Sequence, residues 1–421
     1  MDFRQVTQAC VIALVGFLLF IVNIQFPRGH NFDEFHYVPA AKEFLKLGTN
    51  RNWEHPPLPK YFIAAGMALD EDRPFGWRWV SCVFGAITLA GMYFWALALF
   101  RQERLALFVT FITLCNHMLY VQSRIAMLDI YMMAFLVWAL AFFTRAADPA
   151  TPARAAKRAL AAAGVLIGLT TACKWFGMIP WLAILGVIVA LKLQFSDRKS
   201  FWRKLGYGWI AAWWLLIPAG IYMATFLPLL LLKGTHYGFW DLFLLQGQIW
   251  SAQSALKNTH PYLSSWYQWP LISRPIWYAF DHEPGPAGWV RGVLFLGNPL
   301  VMWSGLVALG FCAWNWFKEG SRVALLILFF YGVLYLSWAV IPRHVNFYYY
   351  YFPAGMSLSL AVAYVFSRYD QESSRRRTLS PYLLGYAALC LGIFVYFFPV
   401  LAALRIPTEH FKRFMWFSSW V

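Results

Sequence analysis

Long apolar stretches separated by short polar gaps run along the whole chain. Eleven of them have about the 20 residues that a helix needs to cross a hydrocarbon core of about 30 Å. In lipid, the backbone polar groups of such stretches must be satisfied within helices. The pattern predicts an all-α polytopic membrane protein with about 11 transmembrane helices, near residues 8–26, 76–100, 105–121, 127–144, 158–173, 176–193, 206–231, 292–316, 323–341, 347–367 and 381–404.

The basic residues in the polar gaps indicate the orientation of the bundle. With the amino terminus in the cytoplasm, roughly 18 Lys and Arg against 7 acidic residues lie inside, and roughly 17 against 12 lie outside. The first stretch has a basic start but no small-residue cleavage site before Pro27. We therefore expect a retained membrane helix rather than a removed signal peptide.

Two long segments, residues 27–75 and 232–291, then lie outside the membrane, together with the tail that starts at residue 405. Both belong to a single membrane domain that spans residues 1–421. The second segment is expected to lie against the membrane, because its tryptophans favour the headgroup level; they are Trp240, Trp250, Trp266, Trp269 and Trp277.

The first outer segment is expected to contain two short helices. Residues 40–47 and 61–69 have helical apolar spacing, and Pro39 suits the first turn of a helix. We expect both helices to lie at the membrane interface.

Composition excludes the soluble classes of protein. Sixty per cent of the residues are hydrophobic and 13% are charged, whereas about 25% are charged in soluble domains. The net charge of +16 does not indicate nucleic-acid binding, because the cations lie in polar gaps rather than in a stripe with interleaved aromatics. The six cysteines lie in or beside apolar stretches and are expected to be small core residues: Cys10, Cys82, Cys115, Cys173, Cys312 and Cys390.

The first outer segment has the densest acidic and histidine content of the chain: Asp33, Glu34, His36, Glu54 and His55. Asp33 could cap the following helix, and Glu34 could favour its positive end. A carboxylate beside a membrane surface could also act as a general base on a hydroxyl that attacks an electrophile. The two interpretations are compatible.

His55 stands on a rigid bend, because Pro56 and Pro57 prevent a helix before about Pro59. It either contacts a substrate or makes a structural hydrogen bond. Glu54 and His55 with His36 or His282 match no standard zinc spacing. The sequence therefore requires no cofactor, and we expect no divalent metal.

Ionisable residues at the outer ends of the predicted spans are costly unless they are paired or face a polar cavity. They are Arg78, Arg124, Asp129, Lys174 and Arg343. A single cation there often snorkels to the interface, but a convergent set is what a lipid phosphate leaving group requires. Lys174 is the first phosphate candidate, followed by Arg343 and His344, and Asp129 is expected to pair with one of the cations.

The run Tyr348–Tyr351 is either part of an aromatic belt at the interface or a wall for a sugar or lipid headgroup.

Ten motifs occur in order along the chain: FDEFHY (32–37), HPPLPK (55–60), RWVSCVFGA (78–86), RIAMLD (124–129), CKWFGM (173–178), THPYLSSWYQWPL (259–271), SRPIWY (273–278), GNPLVMW (297–303), FYYYYFPA (347–354) and MWFSSW (415–420). Together they resemble the bacterial branch of the protein O-mannosyltransferase family over essentially the whole chain.

This resemblance implies a GT-C glycosyltransferase fold and an inverting transfer of mannose from a polyprenyl-phosphate carrier to Ser or Thr hydroxyls. It implies that Asp33 is the catalytic acidic residue, Glu34 its essential neighbour and Arg78 a family arginine. His260, Arg274 and Tyr348 lie in matching motifs and are expected to support the site or bind substrate. The chain lacks the lumenal domain of eukaryotic members, so we expect a bacterial inner-membrane protein with its active site and carboxyl terminus in the periplasm.

Two features depart from the family pattern. Pro59 replaces the usual glycine of HPPLGK, and residues 69–74 are unusually acidic. The lipid A aminoarabinose transferases share the fold, an Asp-Glu pair and a Pro-Pro-Leu bend, so a lipid or glycan acceptor stays open. A transporter of lipid-linked sugars would also need outer cations and aromatic walls, but not a carboxylate placed as a base.

Overall fold

The structure, a computed structural model, describes residues 2–70, 72–194, 200–255, 260–283, 288–341, 343, 345–369 and 380–420. Helices dominate it: α1 (Phe3–Phe20), α2 (Glu34–Leu45), α3 (Leu58–Asp70), α4 (Pro74–Phe100), α5 (Glu103–Leu114), α6 (His117–Gln122), α7 (Leu128–Ala147), α8 (Ala153–Cys173), α9 (Met178–Gln194), α10 (Phe201–Lys204), α11 (Tyr207–Ala211), α12 (Ile217–Ala224), α13 (Asp241–Ala255), α14 (Pro299–Glu319), α15 (Arg322–Leu336), α16 (Phe352–Tyr369), α17 (Pro381–Leu401) and α18 (Thr408–Phe411). The chain therefore forms a helical bundle, as predicted.

Within these described ranges, nine helices are long and apolar enough to cross a membrane. They are Phe3–Phe20, Pro74–Phe100, Leu128–Ala147, Ala153–Cys173, Trp175–Gln194, Tyr207–Leu231, Pro299–Glu319, Arg322–Ala339 and Pro381–Leu401. The other two predicted spans, near 105–121 and 347–367, are also helical but differ from simple lipid-facing spans.

The predicted span near 105–121 is interrupted between α5 and α6. Asn116 caps α6 by accepting a hydrogen bond from the Met118 N–H at 3.1 Å. The Asn298 side chain donates to the Cys115 carbonyl, also at 3.1 Å. Polar side chains thus satisfy the backbone groups that the break would leave unpaired.

The predicted span near 347–367 is the core helix of the bundle. Every residue of α16 from 352 to 364 is buried, and the helix packs against α14 and α15. Its small polar residues, including Ser357 and Ser359, lower its hydropathy and are shielded from lipid by the neighbouring helices.

The outer segments pack together at one end of the bundle. The Lys233 N–H donates to the Leu47 carbonyl at 2.7 Å, and the Gly234 N–H donates to the Gly48 carbonyl at 3.1 Å. Ion pairs such as Arg101–Asp148 and Arg368–Glu319 link the short loops at the opposite ends of the helices. The bundle therefore has one end with long packed segments and one end with short loops.

Three expectations for these segments were wrong. The first helix starts at Glu34, which places Pro39 inside it rather than in its first turn. The span expected from residue 292 starts at Pro299, because the residues before it form a sheet. The rings of Trp269 and Trp277 are buried inside the protein and so cannot contact lipid headgroups, although Trp240 and Trp250 are exposed.

The sheet has three antiparallel strands in the order β1 (Ile276–Glu283), β2 (Trp289–Phe295) and β3 (Ile406–Pro407). Its register shifts between Trp277 and Ala279, which leaves Tyr278 as the extra residue of a bulge. The Tyr278 ring lies 4.8 Å from the Phe32 ring, beside the start of α2. The sheet thus supports the first outer segment.

Candidate active site

Asp33 lies at the start of α2 with a carboxylate that few groups contact. It occupies the helix cap position, yet its side chain makes no capping hydrogen bond. Its Oδ2 accepts hydrogen bonds from the hydroxyls of Tyr37 at 3.3 Å and Tyr349 at 3.4 Å. Burial raises the pKa of Asp33 above its ordinary value, and the positive charge of Lys174 opposes that rise. A carboxylate with a raised pKa is a stronger base than a free one.

Glu34 is fully buried and has no free oxygen. Its Oε1 accepts from Arg78 Nε at 2.8 Å and from the Ala126 N–H at 2.9 Å. Its Oε2 accepts from Arg78 Nη2 at 2.7 Å and from the Asn31 N–H at 2.8 Å. Glu34 therefore fixes the loop that holds Asp33 to the bundle.

Arg78 completes this cluster. Besides Glu34, its guanidinium donates to the carbonyls of Ile24, Pro27 and Gly29 at 3.0, 2.8 and 2.8 Å. All five N–H groups are thereby used. Arg78 offers no donor to a phosphate in this structure.

Lys174 forms a buried ion pair with Asp129, the partner expected for one of the cations. Its Nζ lies 2.8 and 3.0 Å from the two carboxylate oxygens. The same Nζ lies 4.9 Å from the centre of the Tyr349 ring and 4.8 Å from that of Tyr350. Asp129 and the two rings hold this ammonium in one position.

Tyr349 connects Lys174 to Asp33, because its hydroxyl donates to the carboxylate while its ring contacts the ammonium. The structure therefore brings together a base and a cation that are far apart in sequence.

A cavity of about 320 Å³ opens from Lys174. Arg343 and His55 line the same end as Lys174, and α9 contributes Met178, Ile179 and Leu182 to an apolar wall. Helix α13 adds Trp250 and Gln253. The cavity thus has a cationic part and a hydrocarbon-like part.

The Arg343 guanidinium uses two of its five N–H donors in hydrogen bonds to described residues. Its Nε donates to the Val345 carbonyl at 3.0 Å and its Nη1 donates to Gln253 Oε1, also at 3.0 Å. Within the part of the chain that the structure describes, its other three N–H groups have no partner. They are available to an anionic ligand. His344 lies outside the described residues.

Stacked aromatic rings support this end of the cavity. The ring of Trp338 is parallel to that of Tyr350, with centroids 4.5 Å apart, and parallel to that of Phe176 at 5.2 Å. The Arg343 guanidinium carbon lies 5.1 Å from the Tyr350 ring centre. Such stacks restrict the cations to one geometry.

The backbone of His55 is fixed by a hydrogen bond to its carbonyl group. The buried ammonium of Lys60 donates to the carbonyls of Asn52 and His55 and so fixes the bend. Burial lowers the pKa of His55 well below its ordinary value, and the positive charges of Lys174, Lys60 and Arg343 lower it further. His55 is therefore neutral at physiological pH and can accept or donate one hydrogen bond.

Three other predicted residues lie away from the cavity. Arg124 donates to the carbonyls of Phe20 and Val22, where α1 ends. The Tyr348 hydroxyl accepts from the Gly297 N–H at 3.2 Å. The exposed Arg274 donates to the Pro261 carbonyl.

His260 lies near Asp33, in an aromatic group. Its ring centre is 5.7 Å from that of Phe32 and 5.2 Å from that of Phe347. Burial lowers its pKa, while the charge of Asp33 raises it. His260 itself is exposed, and it does not line the cavity.

Tyr37 and Gln253 were not predicted from the sequence, and neither Tyr349 nor Lys60 was predicted to have an individual role. Tyr37 stands one helical turn after Asp33, so the spacing of four residues was an available signal. Nothing local in the sequence indicates the contact between Gln253 and Arg343.

Among the described residues, no group of three His, Cys, Asp or Glu side chains is arranged to hold a metal ion.

Two family models match most of the chain. Residues 69–232 match the model described as dolichyl-phosphate-mannose-protein mannosyltransferase. Residues 239–420 match the C-terminal four-transmembrane region of protein O-mannosyltransferase.

The chain is also similar to a polyprenol-phosphate-mannose protein mannosyltransferase of Mycobacterium tuberculosis, with 25% identity over 92% of this chain and 86% of that one. The structure of the Saccharomyces cerevisiae Pmt1–Pmt2 complex bound to the sugar donor matches with a TM-score of 0.85 and 14% identity, covering 100% of this chain and 93% of that one. ArnT from Cupriavidus metallidurans bound to undecaprenyl phosphate matches with a TM-score of 0.59 and 17% identity, covering 93% and 64%. This chain shares the GT-C fold with these structures, as predicted.

Proposed function

We propose, because this chain belongs to the protein O-mannosyltransferase family, that it transfers mannose from a polyprenyl-phosphate carrier to a Ser or Thr hydroxyl of a protein. The curated relatives carry the name of that activity, with polyprenol-phosphate-mannose as donor. The enzyme is a membrane glycosyltransferase.

Asp33 acts as the general base. The acceptor oxygen attacks C1 of the sugar as its proton passes to the Asp33 carboxylate. The bond between C1 and the phosphate oxygen breaks, and its electron pair leaves with the polyprenyl phosphate. Attack from the face opposite the phosphate inverts the configuration at C1.

Lys174 and Arg343 stabilise the departing phosphate. The position of Tyr349 supports this most strongly, because its hydroxyl donates to Asp33 and its ring contacts the Lys174 ammonium. At the same cavity, Arg343 adds three N–H donors that have no partner among the described residues. The wall formed by Met178, Ile179 and Leu182 suits the isoprenoid chain that follows the phosphate. No metal is assigned to this mechanism.

Glu34 and Arg78 position the loop rather than react. Their mutual hydrogen bonds and those to the backbone leave no donor or acceptor for substrate. We accordingly assign the donor phosphate to Lys174 and Arg343 and not to Arg78 or Arg124.

The acceptor class is tested with purified protein, polyprenyl-phosphate mannose carrying a radiolabel, and native membranes. We expect the label in protein, and Asp33→Asn should lower its incorporation by about 10² to 10⁴-fold while donor binding persists. Label in lipid A or polysaccharide would instead support an enzyme of the aminoarabinose-transferase type. Transport of the intact donor by Asp33→Asn at the wild-type rate would support a carrier of lipid-linked sugars.

We further propose that the end with the long segments faces the periplasm of a bacterial inner membrane, with the amino terminus in the cytoplasm. The excess of basic residues in the short loops supports this orientation. In a Cys10→Ser background, Arg51→Cys should react with a membrane-impermeant maleimide in spheroplasts, whereas Arg322→Cys should react only after permeabilisation. Both residues are exposed, and the reverse labelling pattern would overturn the orientation.

A further inference from the structure

A second cavity, of about 310 Å³, lies at the end of the bundle that carries the short loops. Residue 145 follows Asp129 by sixteen positions on α7, which places this cavity about 24 Å along the helix from the active-site ion pair. The cavity is therefore separate from the donor site.

Helices α4 and α7 line this cavity in the same way. Each contributes an aromatic residue at the deep end, Phe94 or Trp138, and an arginine seven residues later at the rim, Arg101 or Arg145. Seven residues span about 10 Å of helix. Small residues, Ala98 and Ala141, lie between and leave the groove open.

The rim has more positive charge than its own acidic residue can neutralise. Asp148 pairs with Arg101. The half-buried Arg145 guanidinium has no hydrogen-bond or ion-pair partner among the described residues. A neighbouring cavity shares Thr151 and adds Arg154, Lys157 and Lys204. Among the described residues that line the two cavities, five are cations and one is a carboxylate.

We propose that this groove binds an anionic glycerophospholipid, with its phosphate at Arg145 and Arg101 and an acyl chain along Phe94, Leu97, Trp138 and Phe142. Basic pockets between transmembrane helices are suited to anionic headgroups. The order of the lining, with cations at the rim and aromatic and aliphatic side chains inside, matches the order of headgroup and chain in one lipid leaflet. A zwitterionic lipid has the same chains but would bring its own cation to Arg145.

Native mass spectrometry of the purified full-length protein tests the site with dioleoyl-phosphatidylglycerol and dioleoyl-phosphatidylcholine, which share their acyl chains. We expect the glycerol lipid to bind the wild type at least about fivefold more tightly, and Arg145→Gln to weaken it by about fivefold. Ala141→Leu keeps every charge but narrows the groove, and should also weaken binding. Glycerol phosphate without chains should not bind at the same concentration.

Arg322→Gln is the matched control, because it removes an exposed cation from the same end of the bundle but outside the cavity. Its lipid binding should equal that of the wild type. An equal loss in Arg322→Gln and Arg145→Gln would show a general charge effect and overturn the site. Equal binding of the two lipids, or unchanged binding in both Arg145→Gln and Ala141→Leu, would overturn it too.

Discussion

Asp33 and Glu34 are adjacent in sequence but have opposite surroundings. Glu34 accepts four hydrogen bonds, two of them from Arg78, and is fully buried. Among the described residues, only Tyr37 and Tyr349 donate to the Asp33 carboxylate, and both hydrogen bonds are long. One carboxylate of the pair is therefore structural, and the other is free to take a proton.

Replacing Asp33 should separate activity from stability. Because Asp33→Asn removes the base, we expect mannose transfer to fall by about 10² to 10⁴-fold. Folding buries a carboxylate whose pKa is raised, which costs stability when it is ionised. The thermal midpoint of Asp33→Asn should therefore equal or exceed that of the wild type. A variant that loses activity and stability together would contradict this assignment.

The pH dependence of the reaction should report the raised pKa of Asp33. As pH falls through that pKa, the base is protonated and kcat/KM for the donor falls. The acidic limb should therefore lie above about 3.9, the ordinary value for an aspartate. A limb at or below that value would contradict a buried base. Asp33→Glu, which keeps a titratable group, should retain a limb if it retains activity.

Replacing Glu34 or Arg78 should mainly lower the stability of the protein. Removing one partner of a buried ion pair costs about 3–5 kcal/mol, because the other charge is left unpaired. We expect Glu34→Gln and Arg78→Gln each to lower the thermal midpoint strongly, and the double variant to cost less than the sum of the two. Strictly additive losses would show that the two side chains do not act as a pair.

The helical part of the fold follows from the sequence, because lipid forces apolar stretches into helices. The outer sheet does not. No local sequence pattern indicates that strand β1 pairs with strand β2. The buried residues of β2 are as hydrophobic as those of a transmembrane helix, so they were predicted as the start of a span. The break between α5 and α6 was missed for a similar reason, since its stabilising Asn298 is distant in sequence.

The candidate site was predictable in its residue types but not in its connections. Lys174 and Arg343 were identified because charges near a hydrocarbon core are costly. Asp33 was identified because it lies in the outer segment with the densest acidic and histidine content and in a motif that resembles the family. The N–H donors of Arg78 are all used because three of them bond to backbone carbonyls, and the sequence does not indicate which carbonyls lie near a side chain. The same holds for Tyr349, one of four consecutive tyrosines whose rings have different neighbours.

Arg343 should determine donor affinity. A charge-assisted hydrogen bond contributes about 1.5–3 kcal/mol, so Arg343→Gln should weaken binding of the lipid donor by about 10- to 100-fold. Lys174→Ala should weaken it as well, although it also leaves Asp129 unpaired, so Arg343→Gln is the cleaner test. Arg51→Gln removes an exposed cation of the first outer segment outside the cavity and serves as the control. Equal donor affinity in the Arg343 variant and the control would place the phosphate elsewhere.

Lys60 should make stability depend on pH in a defined range. Burial lowers its pKa from 10.5 to about 7 in the folded protein, while the unfolded chain keeps the ordinary value of about 10.4. Between these values the unfolded state holds a proton that the folded state has lost, so stability rises with pH from about 7 to about 10.4. Lys60→Met has no titrating group at this position. Its stability relative to the wild type should therefore fall as the pH rises over the same range. The comparison is made by thermal unfolding in detergent from pH 6.5 to 9.5, with Lys42→Met as the control, since Lys42 lies on the surface in an ion pair with Asp72. A constant difference between wild type and Lys60→Met would show that the ammonium stays charged, held by the carbonyls of Asn52 and His55 at every pH.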